Sequence, residues 1–269
     1  MISMDFYYPG KKFPSLSVTG ERCVLTCPHC KGRYLQGMKP VVTPDELLEV
    51  SKKLDDEGGN GFLLSGGCDN EGRVPLEGYY KVLKEIKDDT DLLINVHTGL
   101  ASEEMARSLS DTGVDMVSYD VIGSSKTIEL VYGLDKTPED HSEGYRVLKN
   151  NGLRVAPHIT VGLHEGKLKG EFEALKMVED TDILVLNMLI PSDFGESVDD
   201  KDFLKVLDEA LSTVKGKVVI GCMRERGRSG LEIEALRRGV DGIVIPSRKT
   251  IDWAGSRYDI EKHETCCVF

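Results

Sequence analysis

The feature that most constrains the fold is a regular alternation of short apolar runs with longer amphipathic segments. Each apolar run is five to eight residues long, which is typical of a buried parallel strand, and each intervening segment can form a helix. The predicted strands span 15–19, 61–65, 92–96, 116–120, 154–161, 183–190, 217–222 and 242–246. Strands that alternate with helices form parallel sheets, and eight such units can close. We therefore predict an α/β fold, a (β/α)8 TIM-type barrel.

The length of the chain favours one barrel and no second domain. Its 269 residues are close to the roughly 250 residues typical of this architecture. No linker or low-complexity segment interrupts the repeat. We expect a single domain over 1–269, with an aromatic, turn-rich arm at 1–14 closing one end. A C-terminal extension at 247–269 is expected to lie over the barrel mouth.

The composition limits the possible partners. The formal net charge of −12 disfavours nonspecific binding of nucleic acid, which requires a basic surface. The chain lacks the run of about 20 apolar residues that would predict a membrane-spanning helix. The first ten residues lack the basic and apolar regions of a signal peptide. We expect a cytoplasmic protein that binds neither nucleic acid nor membranes.

Three of the seven cysteines lie in one loop, directly after the first predicted strand. Cys23, Cys27 and Cys30 are spaced by four and then three residues. Three thiolates in such a loop can each bind one iron of a cubane cluster and leave the fourth iron open. A zinc knuckle with His29 as fourth ligand is the alternative. No second cysteine pair lies nearby to complete a structural zinc site.

This Cys-x3-Cys-x2-Cys loop resembles that of the radical S-adenosylmethionine (SAM) superfamily. The resemblance implies that Cys23, Cys27 and Cys30 bind a [4Fe-4S] cluster whose open iron chelates the amino and carboxyl groups of SAM. One-electron reduction then cleaves SAM to methionine and a 5'-deoxyadenosyl radical. The position before the third cysteine is often aromatic in the family, and here it is His29.

A second segment that resembles the family ends the second predicted strand. Ser65, Gly66 and Gly67 match in position the family's Gly-Gly-Glu segment, which contacts the amino group of SAM, and Cys68 replaces the Glu. Two glycines allow a backbone to approach a ligand closely. The alternative is a tight turn between strand and helix.

Further cofactor-binding residues are expected where later strands end, because side chains there point into the cavity of a barrel. The candidates on the third and fourth strands are Asn95, His97 and Asp120. We predict that Asp120 binds the ribose hydroxyls of SAM, and the alternative is a helix-capping role. Val161 and Gly162 belong to a segment that resembles the family's glycine-containing stretch along the adenine.

On the sixth predicted strand, Asn187 is a candidate for an adenine contact through its backbone. A simple buried strand is the equally compatible alternative.

Four cysteines lie outside the loop: Cys68, Cys222, Cys266 and Cys267. An exposed vicinal pair would be prone to oxidation, which favours a ligand role for the last two. We predict a possible second iron–sulfur cluster bound by Cys222, Cys266 and Cys267, with Cys68 as a further candidate ligand. The alternatives are a tail with idle thiols and a C-terminal prenylation box.

The N-terminal half, from Phe6 to Cys68, resembles an archaeal and bacterial group described as biotin synthase homologues. This group includes one protein of a split, two-protein lipoyl synthase. The resemblance implies sulfur insertion into an octanoyl chain on a carrier protein, with a second radical SAM subunit as partner. It also implies an electron donor such as ferredoxin or flavodoxin.

Two other functions remain open from the sequence. One is a radical SAM methylation or rearrangement that uses a single cluster. The other is a noncatalytic iron–sulfur partner subunit, which would have no need for the Gly66-Gly67 turn beside the cysteine loop.

Overall fold

The computed structural model describes residues 2–269, so residue 1 of the predicted arm lies outside the described part of the chain. Eleven strands form one sheet in the order β11-β1-β10-β9-β8-β7-β6-β5-β4-β2-β3, and every pairing is parallel. The strands are β1 Ile2–Tyr7, β2 Ser15–Ser17, β3 Lys39–Pro40, β4 Gly61–Ser65, β5 Leu93–His97, β6 Met116–Asp120, β7 Val155–Val161, β8 Ile183–Met188, β9 Lys217–Ile220, β10 Gly242–Val244 and β11 Tyr258–His263.

Helices connect most of the consecutive strands. They are α1 Pro44–Asp56, α2 Tyr80–Asp89, α3 Glu103–Ser110, α4 Ser125–Tyr132, α5 Pro138–Asn150, α6 Glu171–Met177, α7 Asp200–Thr213, α8 Ser229–Arg238 and α9 Arg248–Ala254. The start of α1 shows how the sequence sets these bounds. Thr43 accepts a hydrogen bond from the backbone of Glu46, and the Glu46 carboxylate accepts one from the backbone of Thr43. This reciprocal pair satisfies two backbone donors that would otherwise lack partners.

The prediction of a parallel α/β sheet is confirmed. The eight predicted strands are β2 and β4 to β10, and they lie side by side in chain order. The predicted closure into an eight-stranded barrel is not confirmed, because β10 pairs with β1 and not with β2. The sheet is therefore an open half-barrel of eleven strands.

The N-terminal arm is the physical reason why β10 does not pair with β2. Residues 2–7 form a strand that pairs with β10 on one side and with β11 on the other. Gly242 permits the close approach, since a Cβ there would lie 2.8 Å from the Tyr7 ring and 2.9 Å from the Asp5 carbonyl oxygen. The edge of β10 is thus already occupied by β1.

Alternate strand residues face opposite sides of the sheet. One side packs against the helices and forms the main core, to which Phe62 and Leu64 of β4 belong. The other side, here called the concave face, holds a second core that includes Tyr7, Val185 and Val219. This second core joins residues of six strands to the end of the chain, so the sheet curves around it.

The C-terminal segment packs against the sheet in two ways. It forms α9 and the edge strand β11, and its last residues then enter the concave face. Cys267 and Val268 are buried in the same core as Met116 and Ile183, which begin β6 and β8. Burial of apolar side chains stabilises this position by about 1.5–3 kcal/mol for a residue such as Val268.

No helix in the described part of the chain, residues 2–269, combines the length and the apolar character needed to cross a membrane.

Candidate iron–sulfur and cofactor site

The cysteine loop joins β2 to β3 at one edge of the sheet. Cys23, Cys27 and Cys30 are free thiols with partly exposed side chains. The backbone N–H of Cys30 donates to the Cys27 carbonyl oxygen at 3.0 Å, and that of Lys31 donates to the same oxygen at 2.7 Å. Lys31 and Gly32 then adopt left-handed backbone angles, with φ of 49° and 72°. This turn folds the loop back directly after the third cysteine.

The Ser65-Gly66-Gly67-Cys68 segment packs on this loop. A Cβ on Gly67 would lie 2.1 Å from the Arg22 carbonyl oxygen and 2.6 Å from the Cα of Cys23. No residue other than glycine can occupy that position without a shift of the backbone. The Gly67 N–H donates to the Thr19 hydroxyl at 2.7 Å. The glycine turn therefore sets the position of the first cysteine.

Cys68 lies beside the same loop. Its backbone N–H lies 3.3 Å from the Cys23 sulfur, and its carbonyl oxygen accepts from the Val24 N–H at 2.9 Å. Burial, reinforced by Cys23, raises the pKa of Cys68 to about 12. Burial together with Cys23 and Cys30 raises the pKa of Cys27 to about 12 as well. Both thiols are thus protonated in the free protein, and binding of iron must displace the proton from Cys27.

Asp120, at the end of β6, forms an ion pair with a histidine of β5. The Nε2 atom of His97 lies 3.1 Å from Oδ2 of Asp120. Burial opposes ionisation of Asp120, but His97 outweighs it and lowers the pKa of Asp120 to about 2. Burial alone would lower the pKa of His97, but Asp120 raises it overall. Asp120 therefore offers an ionised acceptor at the C-terminal end of the sheet.

Two further histidines surround this carboxylate, and sequence reasoning missed both. His158 of β7 contributes to the lowered pKa of Asp120, and His141 of α5 has its Nδ1 atom 2.9 Å from the Asp120 carbonyl oxygen. His158 lies on the same face of β7 as Ala156 and Thr160, between the buried residues Pro157 and Ile159. That alternation of a polar residue within an apolar strand was the available signal.

The loop and Asp120 belong to one site. Asp120 contributes to the raised pKa of Cys27, of Cys68 and of the Tyr132 phenol, in each case after burial, which is the largest cause. The ring of Tyr132 lies 6.1 Å from that of His29, measured between centroids. Burial lowers the pKa of His29 to about 4, so this imidazole is neutral and packs as an aromatic group.

Asn95 is buried on the concave face, where other residues of the protein already occupy its side-chain amide. Its side chain is 1% exposed and exchanges hydrogen bonds with the Ser118 hydroxyl at 2.9 and 3.1 Å. Its amide nitrogen also lies 3.5 Å from the Cys266 sulfur. Asn95 is therefore engaged with Ser118 and the chain end, while His97 lies two residues closer to the C-terminal end of β5.

Val161 and Gly162 have their backbone groups already paired. The Gly162 N–H donates to the Glu171 carboxylate at 2.8 Å, and its carbonyl oxygen accepts from the Gly166 N–H at 2.8 Å. The Val161 carbonyl oxygen accepts from the Leu189 N–H at 3.0 Å. Both Gly162 backbone groups and the Val161 carbonyl oxygen are therefore engaged within the protein and not free to bind an adenine ring.

Asn187 presents an unpaired side-chain acceptor. Asn187 is 5% exposed, and its Oδ1 atom has no hydrogen-bond partner within residues 2–269. The absence of a side chain on Gly221 makes room for it, since a Cβ there would lie 2.1 Å from Oδ1. A buried acceptor without a partner costs about 1–3 kcal/mol. A ligand N–H group would satisfy it, so the side chain is a better candidate for a cofactor contact than the predicted backbone.

The chain end carries Cys266 and Cys267 into the core of the concave face, and both interact electrostatically with Cys222. Burial and the nearby Cys266 raise the pKa of Cys222, and the pKa of Cys267 is also raised, by Cys266 and by burial. Cys222 keeps an exposed surface, whereas Cys267 is 4% exposed. Within residues 2–269 no three of these thiols lie within 4.8 Å of one another, and the structure places Cys68 beside the cysteine loop.

A buried ion pair fixes the segment that carries Cys222. Arg224 and Glu232 are about 4% exposed and lie 2.8 Å apart. The Arg224 guanidinium also donates to the carbonyl oxygens of Gly221 and Val244, at 2.8 and 2.7 Å. Arginine can make this many bonds because its donors form a planar fork. The ends of β9 and β10 are therefore held together.

The residues present fit a [4Fe-4S] cluster and SAM. Three thiols share one loop, the Gly67 backbone packs against that loop where no side chain would fit, and Asn187 offers an unpaired acceptor. Asp120 provides an ionised carboxylate beside them.

The sequence is similar to those of curated biotin synthases. Among curated proteins, biotin synthase of Pelobacter propionicus is 25% identical over 206 residues, covering 74% of this chain and 62% of that protein. Biotin synthase of Citrifermentans bemidjiense is 22% identical over 245 residues, covering 86% of this chain and 73% of that protein. This chain thus spans less than two thirds of the Pelobacter protein.

Solved structures share the fold. The crystal structure of HydG, a maturase of the [FeFe]-hydrogenase, has a TM-score of 0.64 at 16% identity, covering 97% of this chain and 61% of that one. Methylornithine synthase has a TM-score of 0.60 at 14% identity, covering 96% of this chain and 78% of that one. At these identities the likeness concerns the fold alone.

The family model that matches is that of the radical SAM superfamily, over residues 17–174. This range holds the cysteine loop, the glycine turn and Asp120, and it is more than half of the chain. The protein belongs to the radical SAM superfamily.

Proposed function

We propose that this radical SAM enzyme inserts sulfur into an octanoyl chain on a carrier protein, a reaction of lipoyl biosynthesis. The observation that carries the proposal is that Cys266 and Cys267 enter the concave face, where the Asn95 amide nitrogen lies 3.5 Å from the Cys266 sulfur. Similarity to two biotin synthases supports the same branch of the superfamily.

In this proposal Cys23, Cys27 and Cys30 hold the [4Fe-4S] cluster. The cluster and SAM supply a 5'-deoxyadenosyl radical, which can abstract hydrogen from an unactivated carbon. His97 holds Oδ2 of Asp120, so Oδ1 is left to accept from the ribose hydroxyls. Asn187 accepts from the amino group of the adenine through its side chain.

Cys222, Cys266 and Cys267 would hold a second iron–sulfur cluster, whose chemical contribution is sulfide. Asn95 donates toward the Cys266 sulfur, and Arg224 fixes the segment that carries Cys222. The residues of the concave face orient the octanoyl chain and exclude water around it. A second radical SAM subunit and an electron donor complete the proposed system.

A second candidate is a methylation or rearrangement with one cluster. The observation that favours it is Cys267, which packs among Val185, Val219 and Val244 as a small apolar residue would. A buried cysteine often has only this structural role.

Iron counting separates the two candidates. The test uses anaerobically reconstituted wild type and a Cys222→Ala/Cys266→Ala/Cys267→Ala variant, analysed for iron and sulfide and by Mössbauer spectroscopy. About eight irons in the wild type and about four in the variant are expected, since each cubane holds four. Cys68→Ala is the matched control and should keep about eight. Equal iron in the wild type and the triple variant would rule out the second cluster and, with it, sulfur insertion by this route.

A further inference from the structure

Two carboxylates and one imidazole converge where the first and the last strand of the chain pair. They belong to Asp5 of β1 and to Glu261 and His263 of β11. Each side chain offers one ligand atom, and the three atoms lie within 4.8 Å of one another. These three residues are here called the β1–β11 triad.

Parallel pairing of the two strands produces this arrangement. Asp5 lies opposite Glu261, and Tyr7 lies opposite His263. Side chains two positions apart on a strand point to the same face of a sheet. That face is the concave one, because Tyr7 belongs to its core. Asp5 and His263 are 258 positions apart in the chain, so only the folded sheet brings them together.

The spacing of the donor atoms suits a metal ion. Nε2 of His263 lies 2.9 Å from Oδ1 of Asp5. Metal–ligand bonds of about 2.1 Å place neighbouring ligands about 3.0 Å apart in octahedral geometry and about 3.4 Å apart in tetrahedral geometry. The two atoms thus already have nearly the separation of two ligands of one ion. Glu261 is exposed and can turn its carboxylate toward them.

Both carboxylates of the triad have an outer contact that leaves one oxygen for an ion. Oδ2 of Asp5 accepts from the Lys217 ammonium at 3.0 Å, so Oδ1 is the atom directed at His263. Oε1 of Glu261 accepts from the Ser3 hydroxyl at 2.9 Å, which leaves Oε2. Burial opposes ionisation of Asp5, but hydrogen bonds from His263 and Lys217 lower its pKa overall. The group is therefore an ionised ligand at neutral pH.

The ring of His263 is oriented as well. It stacks on the ring of Tyr7, with 5.0 Å between the centroids and 26° between the planes. Ligands in metal sites are characteristically fixed by outer contacts of this kind. An ion pair between Asp5 and His263 alone does not need the contact of Ser3 with Glu261, whereas a site with three ligands uses it.

We propose that the β1–β11 triad binds a divalent transition-metal ion, with Asp5, Glu261 and His263 as ligands and water at the remaining positions. One imidazole with two carboxylates is a donor set that suits Mn²⁺, Fe²⁺ and Zn²⁺. The ion replaces the proton between Nε2 and Oδ1, and that proton passes to water. This inference does not rest on the proposed function, since the site uses none of the cysteines.

The bound ion joins the two ends of the chain. β1 occupies the edge of β10, and β11 leads directly into the tail that enters the concave face. Next to the triad, Glu264 forms an ion pair with Lys12 at 2.7 Å. The ion therefore stabilises both the N-terminal strand and the buried position of Cys267 and Val268. Its role is structural.

The test uses Mn²⁺ alone as the probe and anaerobically reconstituted protein. Mn²⁺ prefers oxygen ligands, whereas Zn²⁺ would also bind the thiolates of the cysteine loop. The electron paramagnetic resonance signal of free Mn²⁺ is lost on binding, so a titration gives both the stoichiometry and the Kd.

The variants are Glu261→Gln and His263→Gln. Glu261 is exposed, so Glu261→Gln keeps the fold even if His263→Gln disturbs the stacking on Tyr7. The matched control is Asp259→Asn, which removes an exposed carboxylate from the same face of β11.

We expect one Mn²⁺ per chain in the wild type and in the control. The Kd should rise at least about tenfold in each variant, because each loses one of three protein ligands. Increasing Mn²⁺ should also raise the Tm of the wild type. It should slow amide hydrogen exchange in residues 2–7 and 258–263, and these effects should be absent from the variants at the same concentration.

Equal Kd values for Mn²⁺ in the wild type, Glu261→Gln and His263→Gln would overturn the inference. The absence of binding up to about 1 mM Mn²⁺ would do the same, since even weak protein sites for divalent ions are filled at that concentration. Slower exchange confined to residues outside 2–7 and 258–263 would place the ion elsewhere and would also contradict it. A raised Kd in both variants, with Asp259→Asn within about twofold of the wild type, supports the site.

Discussion

Replacement of Asp120 by Asn should weaken SAM binding while leaving the fold intact. The carboxylate uses Oδ2 for His97, at 3.1 Å, and its side chain is 42% exposed, so Oδ1 remains accessible to a ligand. Because the pKa of Asp120 is lowered to about 2, the group is ionised throughout the neutral range. Asn has almost the same shape but lacks the charge.

The size of the effect follows from the kind of bond that is lost. A hydrogen bond to a charged group contributes about 1.5–3 kcal/mol, and about 1.4 kcal/mol corresponds to a tenfold change in Kd. The Kd for SAM should therefore rise by about 10- to 150-fold. The amide oxygen of Asn can still accept a bond, which favours the lower end of this range.

The assay is an equilibrium titration of reconstituted protein with SAM. Binding is monitored by calorimetry and by the electron paramagnetic resonance spectrum of the reduced cluster. Asp115→Asn is the matched control. Asp115 lies just before β6, at the opposite end from Asp120, and pairs with Lys87 at 2.8 Å. Its replacement should lower stability and leave the Kd unchanged. An unchanged Kd in folded Asp120→Asn would refute the role of this carboxylate in SAM binding.

Three further changes test other parts of the account. Gly67→Ala should reduce the iron retained after reconstitution, because the added Cβ would lie 2.1 Å from a backbone oxygen. Gly37→Ala is the control, since an added Cβ there would meet no atom within 4 Å, and it should retain the iron content of the wild type. His97→Gln should flatten the pH dependence of unfolding by urea. The pKa of His97 is raised in the folded protein, so its stabilisation is full below pH ~6.5 and is lost as the pH rises through the folded pKa; identical profiles would contradict this. Glu232→Ala leaves the buried charge of Arg224 unpaired and should lower the unfolding free energy by about 3–5 kcal/mol. A loss below about 1 kcal/mol would show that the pair behaves as a solvent-exposed one.

The eight main strands could be predicted because their apolar runs are local signals. The strands β1 and β11 could not. β1 contains Asp5 between apolar residues, and β11 contains charged residues at three of its six positions, Asp259, Glu261 and Lys262. Asp5 is compatible with burial because His263 lies 2.9 Å from it and Lys217 lies 3.0 Å away. These partners are more than 200 residues distant in the chain, so no local pattern reveals them.

The site shows the same division between local and long-range information. The spacing of Cys23, Cys27 and Cys30 is contained in eight residues, and the structure places these thiols in one compact loop. The depth of Asn95 on the concave face, and its contact with Cys266, depend on where the chain end packs. The sequence pattern predicts a backbone contact for Asn187, whereas the unpaired atom belongs to its side chain.

Formation of 5'-deoxyadenosine from SAM and dithionite by reconstituted protein tests whether the cysteine loop holds a SAM-cleaving cluster. The wild type should form it, and a Cys23→Ala/Cys27→Ala/Cys30→Ala variant should form none above the background of free iron and sulfide. Cys68→Ala, which keeps all three ligands, should retain activity. A triple variant that produced 5'-deoxyadenosine at the wild-type rate would contradict the assignment of these cysteines.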